Sequence, residues 1–194
     1  MKNIKFQSYQ IDRSNYENRN QHRGINLWLT GLSGSGKSTL ANGLHKKLFE
    51  AGMHSIILDG DNIRLGINKD LNFSEEDRSE NIRRIAEITK LFVDTGHIVI
   101  TAFISPFEKN RIQAKEIISK NDFVEVFVDS SIETCEKRDV KGLYKKARSG
   151  DLDNFTGISS PYESPKNPDI YIDTNQASLY DSIELLFNRL NSKL

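Results

Sequence analysis

The chain has few of the residues that build cross-linked or membrane-spanning proteins. Cys135 is the only cysteine among 194 residues, which excludes an intrachain disulfide and a cysteine-based metal cluster. No apolar run approaches the roughly 18 residues of a transmembrane helix, and no segment resembles a signal peptide. We therefore expect a soluble, cytoplasmic protein.

The sequence also lacks an excess of charge of either sign. Its 27 lysines and arginines balance its 27 aspartates and glutamates, so the formal net charge is zero. This balance argues against a protein that coats nucleic acid or a membrane surface, although local basic patches remain compatible with it. We predict no nucleic-acid and no membrane partner. At about 150 residues per domain, the length predicts one domain with one inserted segment.

Residues 31–39 carry the most informative motif, G-L-S-G-S-G-K-S-T. It matches the phosphate loop (P-loop) G-x-x-x-x-G-K-[ST], in which glycines let backbone N–H groups surround a phosphate at a helix N-terminus. We expect Lys37 to reach the β- and γ-phosphates of a nucleotide and the Ser38 hydroxyl to ligate Mg²⁺. The alternative is a glycine-rich turn that binds nothing. The strand pattern before the motif and the amphipathic helix pattern after it favour the phosphate loop.

Strand and helix patterns alternate along the chain. Strands are predicted at 25–30, 55–58, 98–102, 123–128 and 170–172, and helices at 37–51, 75–95, 107–119, 131–138 and 178–192. This alternation predicts an α/β fold, a P-loop NTPase-type three-layer sandwich with a mostly parallel five-stranded sheet. Ser74 and Ser178 are predicted N-caps in capping boxes, Gly96 a helix stop, and Pro106 a first-turn residue.

Two segments fall outside this alternation. Residues 1–23 are predicted to form a flexible N-terminal arm, which could also cross onto a partner subunit. Residues 139–169 hold three of the four prolines and indicate a mobile lid, placed at about 138–162. If this segment is helical, Arg138, Lys141, Lys145 and Arg148 would form one cationic face suited to a polyanionic ligand. The alternative is a solubilising surface.

Three unusual segments directly follow predicted strands: the phosphate loop, residues 59–64 and residues 103–106. Ligands of parallel sheets bind at the carboxyl ends of the strands, so the three segments should share one rim with a second substrate opposite the phosphate loop. Asp61 is the candidate base and metal ligand, unless Asp59 or Asp61 only caps the next helix. Arg64 is a candidate anion ligand, unless it is only solvated.

The helix predicted at 75–95 and two aromatic residues supply further candidates. Arg78, Asn81 and Arg84 share one face of that helix, which would serve either binding or solvation. Phe73 and Phe155 lie in polar surroundings, where they would either join the core or stack on a base.

Several motifs together resemble the adenylylsulfate kinase (APS kinase) family. They are the phosphate loop, D-G-D-N at 59–62, N-K-D-L at 68–71, F-S-E-E-D-R at 73–78, F-I-S-P at 103–106, K-G-L-Y-K-K-A-R at 141–148 and N-F-T-G at 154–157. The resemblance implies ATP-dependent phosphorylation of the 3′-hydroxyl of adenosine 5′-phosphosulfate (APS) to 3′-phosphoadenosine 5′-phosphosulfate (PAPS), in sulfate assimilation. It also implies Mg²⁺, a homodimer and a P-loop kinase domain over residues 24–194.

The resemblance assigns site residues position by position. The ATP site falls on Gly31, Leu32, Ser33, Gly34, Ser35, Gly36, Lys37, Ser38 and Thr39. The APS site falls on Asp61, Arg64, Phe73, Arg78, Asn81, Ile104, Ser105, Lys141, Leu143 and Phe155. Phe73 and Phe155 would cover the two faces of the APS adenine, and Arg78 and Asn81 would face the phosphosulfate. The catalytic candidates are Lys37, Asp61 and Ser105, and the metal candidates are Ser38 and Asp61.

Ser105 is open to two interpretations. The family's corresponding serine is often described as a phosphorylated intermediate, but a serine nucleophile needs a base within hydrogen-bond reach and no histidine lies nearby in the sequence. We favour direct transfer, with Ser105 as a positioning or anion-binding group or as a helix cap ahead of Pro106. The sequence departs from the family at Ser159-Ser160-Pro161, where relatives often carry an acid.

Two other functions compete with this one. Another small-molecule P-loop kinase, with a nucleoside or sugar acceptor, would explain the phosphate loop but not the other motifs. A guanine-nucleotide switch would need an Asn-Lys-x-Asp element after a strand, and Asn68-Lys69-Asp70 lacks the spacer.

Overall fold

The computed structural model describes residues 4, 5 and 7–194. Its centre is a five-stranded sheet in the order β2-β3-β1-β4-β5, with every pairing parallel. The strands are β1 Ile25–Thr30, β2 Ser55–Asp59, β3 Ile98–Ala102, β4 Phe123–Asp129 and β5 Ile170–Asp173. The helices are α1 Arg13–Asn20, α2 Lys37–Glu50, α3 Gly60–Leu65, α4 Glu75–Asp94, α5 Glu108–Ile118, α6 Ile132–Arg138, α7 Leu143–Ser149 and α8 Leu179–Asn191. The predicted α/β three-layer fold is confirmed.

The central strand β1 supplies both layers of the core, because alternate side chains of a strand point to opposite faces. Ile25, Leu27 and Leu29 pack with residues of α2 and α8 on one face of the sheet. Trp28 packs with residues of α4 and α5 on the other face. All six residues of β1 are buried, as expected for the middle strand of a covered parallel sheet.

Three strands run one residue further than predicted, and each extra residue is an aspartate. Asp59, Asp129 and Asp173 end β2, β4 and β5 at the carboxyl edge. The apolar pattern ends before them, but the backbone pairing continues through Asp59↔Ala102 and Asp129↔Asp173. Polar residues therefore gather at the edge where ligands of such sheets bind.

The predicted helix ends are partly right. The hydroxyls of Ser74 and Ser178 accept the backbone N–H groups of Asp77 and Asp181, and Gly96 has the left-handed backbone of a helix stop. Pro106 is a correction, because α5 begins at Glu108 with Phe107 as its N-cap, which leaves the proline before the helix.

The flexible arm predicted for residues 1–23 is also corrected. Asp12 caps α1 through a complete capping box, and the Arg13 guanidinium bonds to Asp122 at 2.6 and 2.9 Å and to the Gly24 carbonyl. Helix α1 is therefore docked on the domain. Residues 4, 5 and 7–11 are exposed and belong to no helix or strand, and the arm prediction for residues 1–3 and 6 lies outside the described residues.

The inserted segment does not form one cationic helix. Helix α6 ends at Arg138 and α7 begins at Leu143, with Gly142 in the left-handed conformation between them. Arg138 donates to the Gly34 carbonyl and to Thr174, whereas Arg148 pairs with Glu136. The prediction of a continuous cationic face was wrong, because this break sends the side chains in different directions.

No helix among the described residues combines the length and the apolar character that crossing a membrane requires.

Candidate active site

The phosphate loop joins β1 to α2, and its backbone needs glycine. A Cβ on Gly31 would lie 2.3 Å from the Val128 carbonyl oxygen, which no side chain tolerates. Gly36, the N-cap of α2, has φ +103°, a conformation that L-residues rarely adopt. The loop therefore brings bare backbone and the positive end of a 14-residue helix to one point, an arrangement that binds anions.

Lys37 is buried at the start of α2 and turns back over the phosphate loop. Its ammonium group donates to the carbonyl oxygens of Gly31 at 2.9 Å and Leu32 at 2.7 Å. Burial lowers the pKa of Lys37 to about 8, because the low-dielectric surroundings disfavour the charged form. The ammonium group is held where a phosphate in the loop would meet it.

Asp59, rather than Asp61, is the carboxylate beside Ser38. The Ser38 hydroxyl donates to Asp59 Oδ2 at 2.6 Å, and Asp59 Oδ1 accepts the Asp61 N–H at 3.0 Å as the N-cap of α3. Asp61 is exposed and pairs with Lys141 of the inserted segment. The sequence prediction considered Asp59 only as a cap. The signal that could have found it is its position at the carboxyl end of a buried strand.

One wall of the site is built from α3, α4 and the loop between them. The Arg64 guanidinium carbon lies 4.5 Å from the centre of the Phe73 ring, and its Nη1 donates to the carbonyls of Leu71 and Asn72. Burial lowers the pKa of Arg64, but the group stays charged. Phe73 itself is 56% exposed, so one side of its ring is open to a ligand.

Arg78 connects this wall to the inserted segment. Its Nη1 donates to Thr156 Oγ1 at 2.6 Å, its Nη2 to the Asn154 carbonyl and its Nε to the Phe73 carbonyl at 3.0 Å. The Arg78 guanidinium therefore has three hydrogen-bond partners within the protein, in addition to the phosphosulfate contact that the resemblance implies. Phe155, which lies between Asn154 and Thr156 in the sequence, is buried against the Tyr144 ring at a centroid distance of 4.9 Å.

Asn81 and Arg84, which share a face of α4 with Arg78, have different surroundings. Asn81 is buried and its Oδ1 accepts from Asn68 at 2.9 Å. Arg84 forms a bidentate pair with Asp70 at 2.8 Å and also bonds to Glu80. Asn81 lines the site, whereas Arg84 belongs to a surface ion-pair network.

Ser105 lies in the turn after β3, with the unusual backbone angle φ +39°. Its hydroxyl accepts the indole N–H of Trp28 at 3.1 Å, and its carbonyl accepts Arg111 Nη1 at 2.9 Å. The helix-cap interpretation of Ser105 is wrong, because the N-cap of α5 is Phe107.

These groups surround one cavity of about 730 Å³. It is lined by all ten residues predicted for APS and by residues 33–39 of the phosphate loop. Gly31 and Leu32, the first two residues of the loop, are not among the lining residues, and their carbonyls accept hydrogen bonds from Lys37. Gly36 and Asp61 face the same cavity, as the common-rim argument predicted.

The cavity extends past the phosphate loop to residues that the sequence prediction did not assign to the site. They include Asp59, Arg138, Val140, Thr174, Ala177, Leu179 and Ser182. Arg138 is fixed there by its bonds to the carbonyls of Gly34 and Thr174. Because these residues come from the end of β2, from α6 and the turn after it, and from the chain after β5, no local pattern marks them as one surface.

A phosphate loop with its lysine, a strand-end carboxylate and a second pocket under an inserted segment define a small-molecule kinase of the P-loop class. The family model described as adenylylsulphate kinase matches residues 23–173. The chain belongs to the adenylylsulphate kinase family.

Individual relatives agree with this assignment. The chain is 56% identical over 183 residues to a probable adenylyl-sulfate kinase from Halalkalibacterium halodurans, covering 94% of this chain and 91% of that protein. It is 54% identical over 188 residues to an adenylyl-sulfate kinase from Clostridium acetobutylicum, covering 95% and 94%. An APS kinase structure from Mycobacterium tuberculosis, in complex with AMPPNP and APS, aligns with a TM-score of 0.84 at 45% identity, covering 87% of this chain and 98% of that one.

Proposed function

We infer that this protein is an adenylyl-sulfate kinase, which transfers the γ-phosphoryl group of ATP to the 3′-hydroxyl of APS and releases PAPS and ADP. One observation carries the assignment. A single cavity joins a phosphate loop to all ten residues that the resemblance assigns to APS. Donor and acceptor can therefore meet in one cavity, which brings the reacting groups close together.

Each side chain has a role that its surroundings permit. The loop N–H groups and Lys37 would bind the β- and γ-phosphates, in place of the carbonyls that hold Lys37 now. Asp61, which is exposed, would accept the 3′-hydroxyl proton as the new oxygen–phosphorus bond forms and the bond to the β-phosphate oxygen breaks. Lys141, which pairs with Asp61, keeps that carboxylate at the cavity.

Direct transfer is also supported by the surroundings of Ser105. Its partner Trp28 is a hydrogen-bond donor only and cannot take a proton. A covalent route would need a base at this position. We therefore propose that Ser105 binds the acceptor and does not attack ATP.

The donor set at the phosphate loop fits Mg²⁺, a hard cation that prefers oxygen ligands. Asp59 accepts a hydrogen bond from the Ser38 hydroxyl, so the lone pairs of the Ser38 oxygen are free to face a cation. We propose that Ser38 holds the ion, with Asp59 supporting it and Asp61 on the acceptor side. When bound, Mg²⁺ would neutralise charge on the transferring phosphoryl group.

The rest of the assignment follows the family. We propose that the APS adenine stacks on the open side of Phe73 and reaches Phe155, and that the ATP base lies near Arg138 and Thr174. We also propose a homodimer, a cytoplasmic location, where ATP is available, and a role in sulfate assimilation.

A panel of acceptors assayed with ATP and Mg²⁺ tests the function. We expect turnover with APS to exceed turnover with adenosine, gluconate and shikimate by orders of magnitude, and the product to carry its new phosphate at the 3′-position. Preference for any other acceptor would reject the assignment.

A variant of the phosphate-loop lysine tests whether this cavity does the chemistry. Lys37→Met should reduce turnover to near background while circular dichroism stays unchanged. Lys46→Met, at an exposed position of the same helix, is the matched control and should keep wild-type turnover. Equal activity of the two variants would remove Lys37 from the mechanism.

A further inference from the structure

Trp28, the single tryptophan of the chain, lies in the middle of β1 and is fully buried. Its ring stacks against Phe103 at 6.1 Å and Phe123 at 5.5 Å between centroids. Its backbone is fixed by parallel pairing to β3 and β4 on either side. The indole N–H therefore has a defined direction, and it donates to Ser105 Oγ at 3.1 Å.

The turn that carries Ser105 is held from several sides. The Ser105 carbonyl accepts a hydrogen bond from Arg111 Nη1 at 2.9 Å. Arg111 is buried and pairs with Glu125 at 2.9 Å. The preceding carbonyl, of Ile104, accepts the Thr30 hydroxyl at 2.7 Å. A positive φ at a residue with a side chain costs free energy and persists only where its surroundings enforce it. Several buried hydrogen bonds thus fix the position of the Ser105 hydroxyl.

The Ser105 hydroxyl has hydrogen-bonding capacity left beside the cavity that this residue lines. A serine hydroxyl has one proton to donate and two lone pairs. Trp28 occupies a lone pair, and the described residues provide no second hydrogen-bond partner for Ser105 Oγ. Because Ser105 lines the cavity, its proton is available to an oxygen of the acceptor nucleotide.

We propose that Trp28 is a positioning residue for phosphoryl transfer, whose indole N–H keeps the Ser105 hydroxyl oriented as a donor to the acceptor substrate. This inference rests on the proposed function, since APS is the acceptor whose binding it describes. Trp28 itself touches neither substrate, so it acts through Ser105.

The substitution Trp28→Phe removes the N–H but keeps an aromatic ring between Phe103 and Phe123. We expect W28F to raise the KM for APS about three- to tenfold, the range that one hydrogen bond supports, and to change the KM for ATP less than about twofold. An unchanged KM for APS in folded W28F would overturn the proposal.

Two further variants separate positioning from packing. Phe123→Leu removes a stacking partner of Trp28 but leaves the N–H bond, so it should lower the melting temperature without changing the KM for APS. In the Ser105→Ala background, W28F should add less than about a twofold further change, because the pathway through Ser105 is already lost. Independent, multiplying effects of W28F and S105A would also overturn the proposal.

Fluorescence tests the contact even if W28F fails to fold. As the only tryptophan, Trp28 reports its own environment, so S105A should shift its emission in the ligand-free protein and APS should change it in the wild type. Identical emission in all three states would overturn the proposal. A wild-type protein inactive with APS would overturn the proposed function and this inference with it, whereas an active wild type with an unaffected W28F overturns this inference alone.

Discussion

Lys37 shows how a single residue connects local structure to substrate binding. Its burial lowers its pKa to about 8, and the nearby Cys135 and Asp59 oppose this effect only in part. A bound triphosphate would replace the carbonyl partners of Lys37 with anionic oxygens, which favour the charged ammonium and raise its pKa again. ATP binding should therefore be coupled to the protonation of this one side chain.

The coupling predicts a pH dependence of nucleotide affinity. Below about pH 8 free Lys37 is protonated and binding takes up no proton. Above it, binding must first protonate the amine, so the Kd for AMPPNP should rise up to about tenfold per pH unit until the pKa of the complex is reached. Calorimetric titration between pH 7 and 9.5 measures this. The Lys37→Arg variant, which does not titrate in this range, should show a flat profile, and an equally flat wild-type profile would contradict the prediction.

The position of Phe73 predicts that its replacement weakens the binding of APS more than the binding of ATP. Its ring is 56% exposed at the cavity, on the side that we propose for APS. Stacking on a base is worth about 1–3 kcal/mol, so Phe73→Ala should weaken APS binding by roughly 5- to 100-fold and leave ATP binding nearly unchanged. Phe49→Ala, an exposed phenylalanine at the end of α2, is the control for loss of an aromatic surface residue. Equal losses for both substrates would argue against the stack.

At the scale of an element, α1 is the part of the chain whose role changed most between sequence and structure. Its docking depends on Asp122, which is 4% exposed and accepts from both Arg13 and Arg23. Burial alone would raise the pKa of Asp122, but the two guanidinium groups outweigh it and lower this pKa. The helix is therefore held through charge-assisted hydrogen bonds to Asp122, the residue directly before β4.

Replacement of this carboxylate should loosen α1. Asp122→Asn should lower the free energy of unfolding at pH 7 by about 1–3 kcal/mol and speed amide exchange over residues 13–20. Because the folded pKa is lowered, this stabilisation is complete above the ordinary carboxylate pKa of about 3.9 and is lost as the pH falls below it, so the two proteins should converge in acid.

The matched control is Asp94→Asn, since Asp94 pairs with Lys90 on an exposed face of α4. It should cost less than about 1 kcal/mol. Wild-type stability of D122N, or unchanged exchange in α1, would show that α1 does not depend on this contact.

At the scale of the whole molecule, the inserted segment connects the two halves of the cavity. Arg78 of α4 bonds to Asn154 and Thr156, and the Tyr144 hydroxyl donates to the Ser33 carbonyl of the phosphate loop at 2.9 Å. A ligand on either side therefore contacts groups that also hold this segment. The motion of the predicted lid stays a prediction.

Limited proteolysis tests that motion. Lys145 and Lys146 are exposed in α7, and AMPPNP with APS should slow trypsin cleavage there more than either ligand alone. Cleavage after Lys120, exposed in the loop before β4, serves as the internal control and should not change. Equal cleavage of α7 with and without both ligands would contradict ligand-dependent closure.

Much of this molecule was predictable from local pattern. The phosphate loop is contiguous because a backbone cradle is built from consecutive N–H groups. The order of the five strands and of helices α2, α4, α5, α6 and α8 follows from hydropathic period, whereas α1, α3 and α7 were not predicted from it. Strand ends were less accurate, because Asp59, Asp129 and Asp173 continue the pairing without continuing the apolar pattern. The break between α6 and α7 was missed, because the spacing of the cations fits a helix that Gly142 interrupts.

Periodicity and contiguous motifs were thus sufficient for the fold class and for Lys37, which depend on neighbours along the chain. They were also sufficient for the common rim of the phosphate loop, residues 59–64 and residues 103–106, because the carboxyl ends of parallel strands lie at one edge of a sheet. Only the folded chain decided that α1 docks through Asp122, that Asp59 rather than Asp61 supports Ser38, and that Trp28 holds Ser105. Those contacts join residues between 21 and 109 positions apart. Partners so distant in sequence leave no local signal, because tertiary packing alone brings them within hydrogen-bond distance.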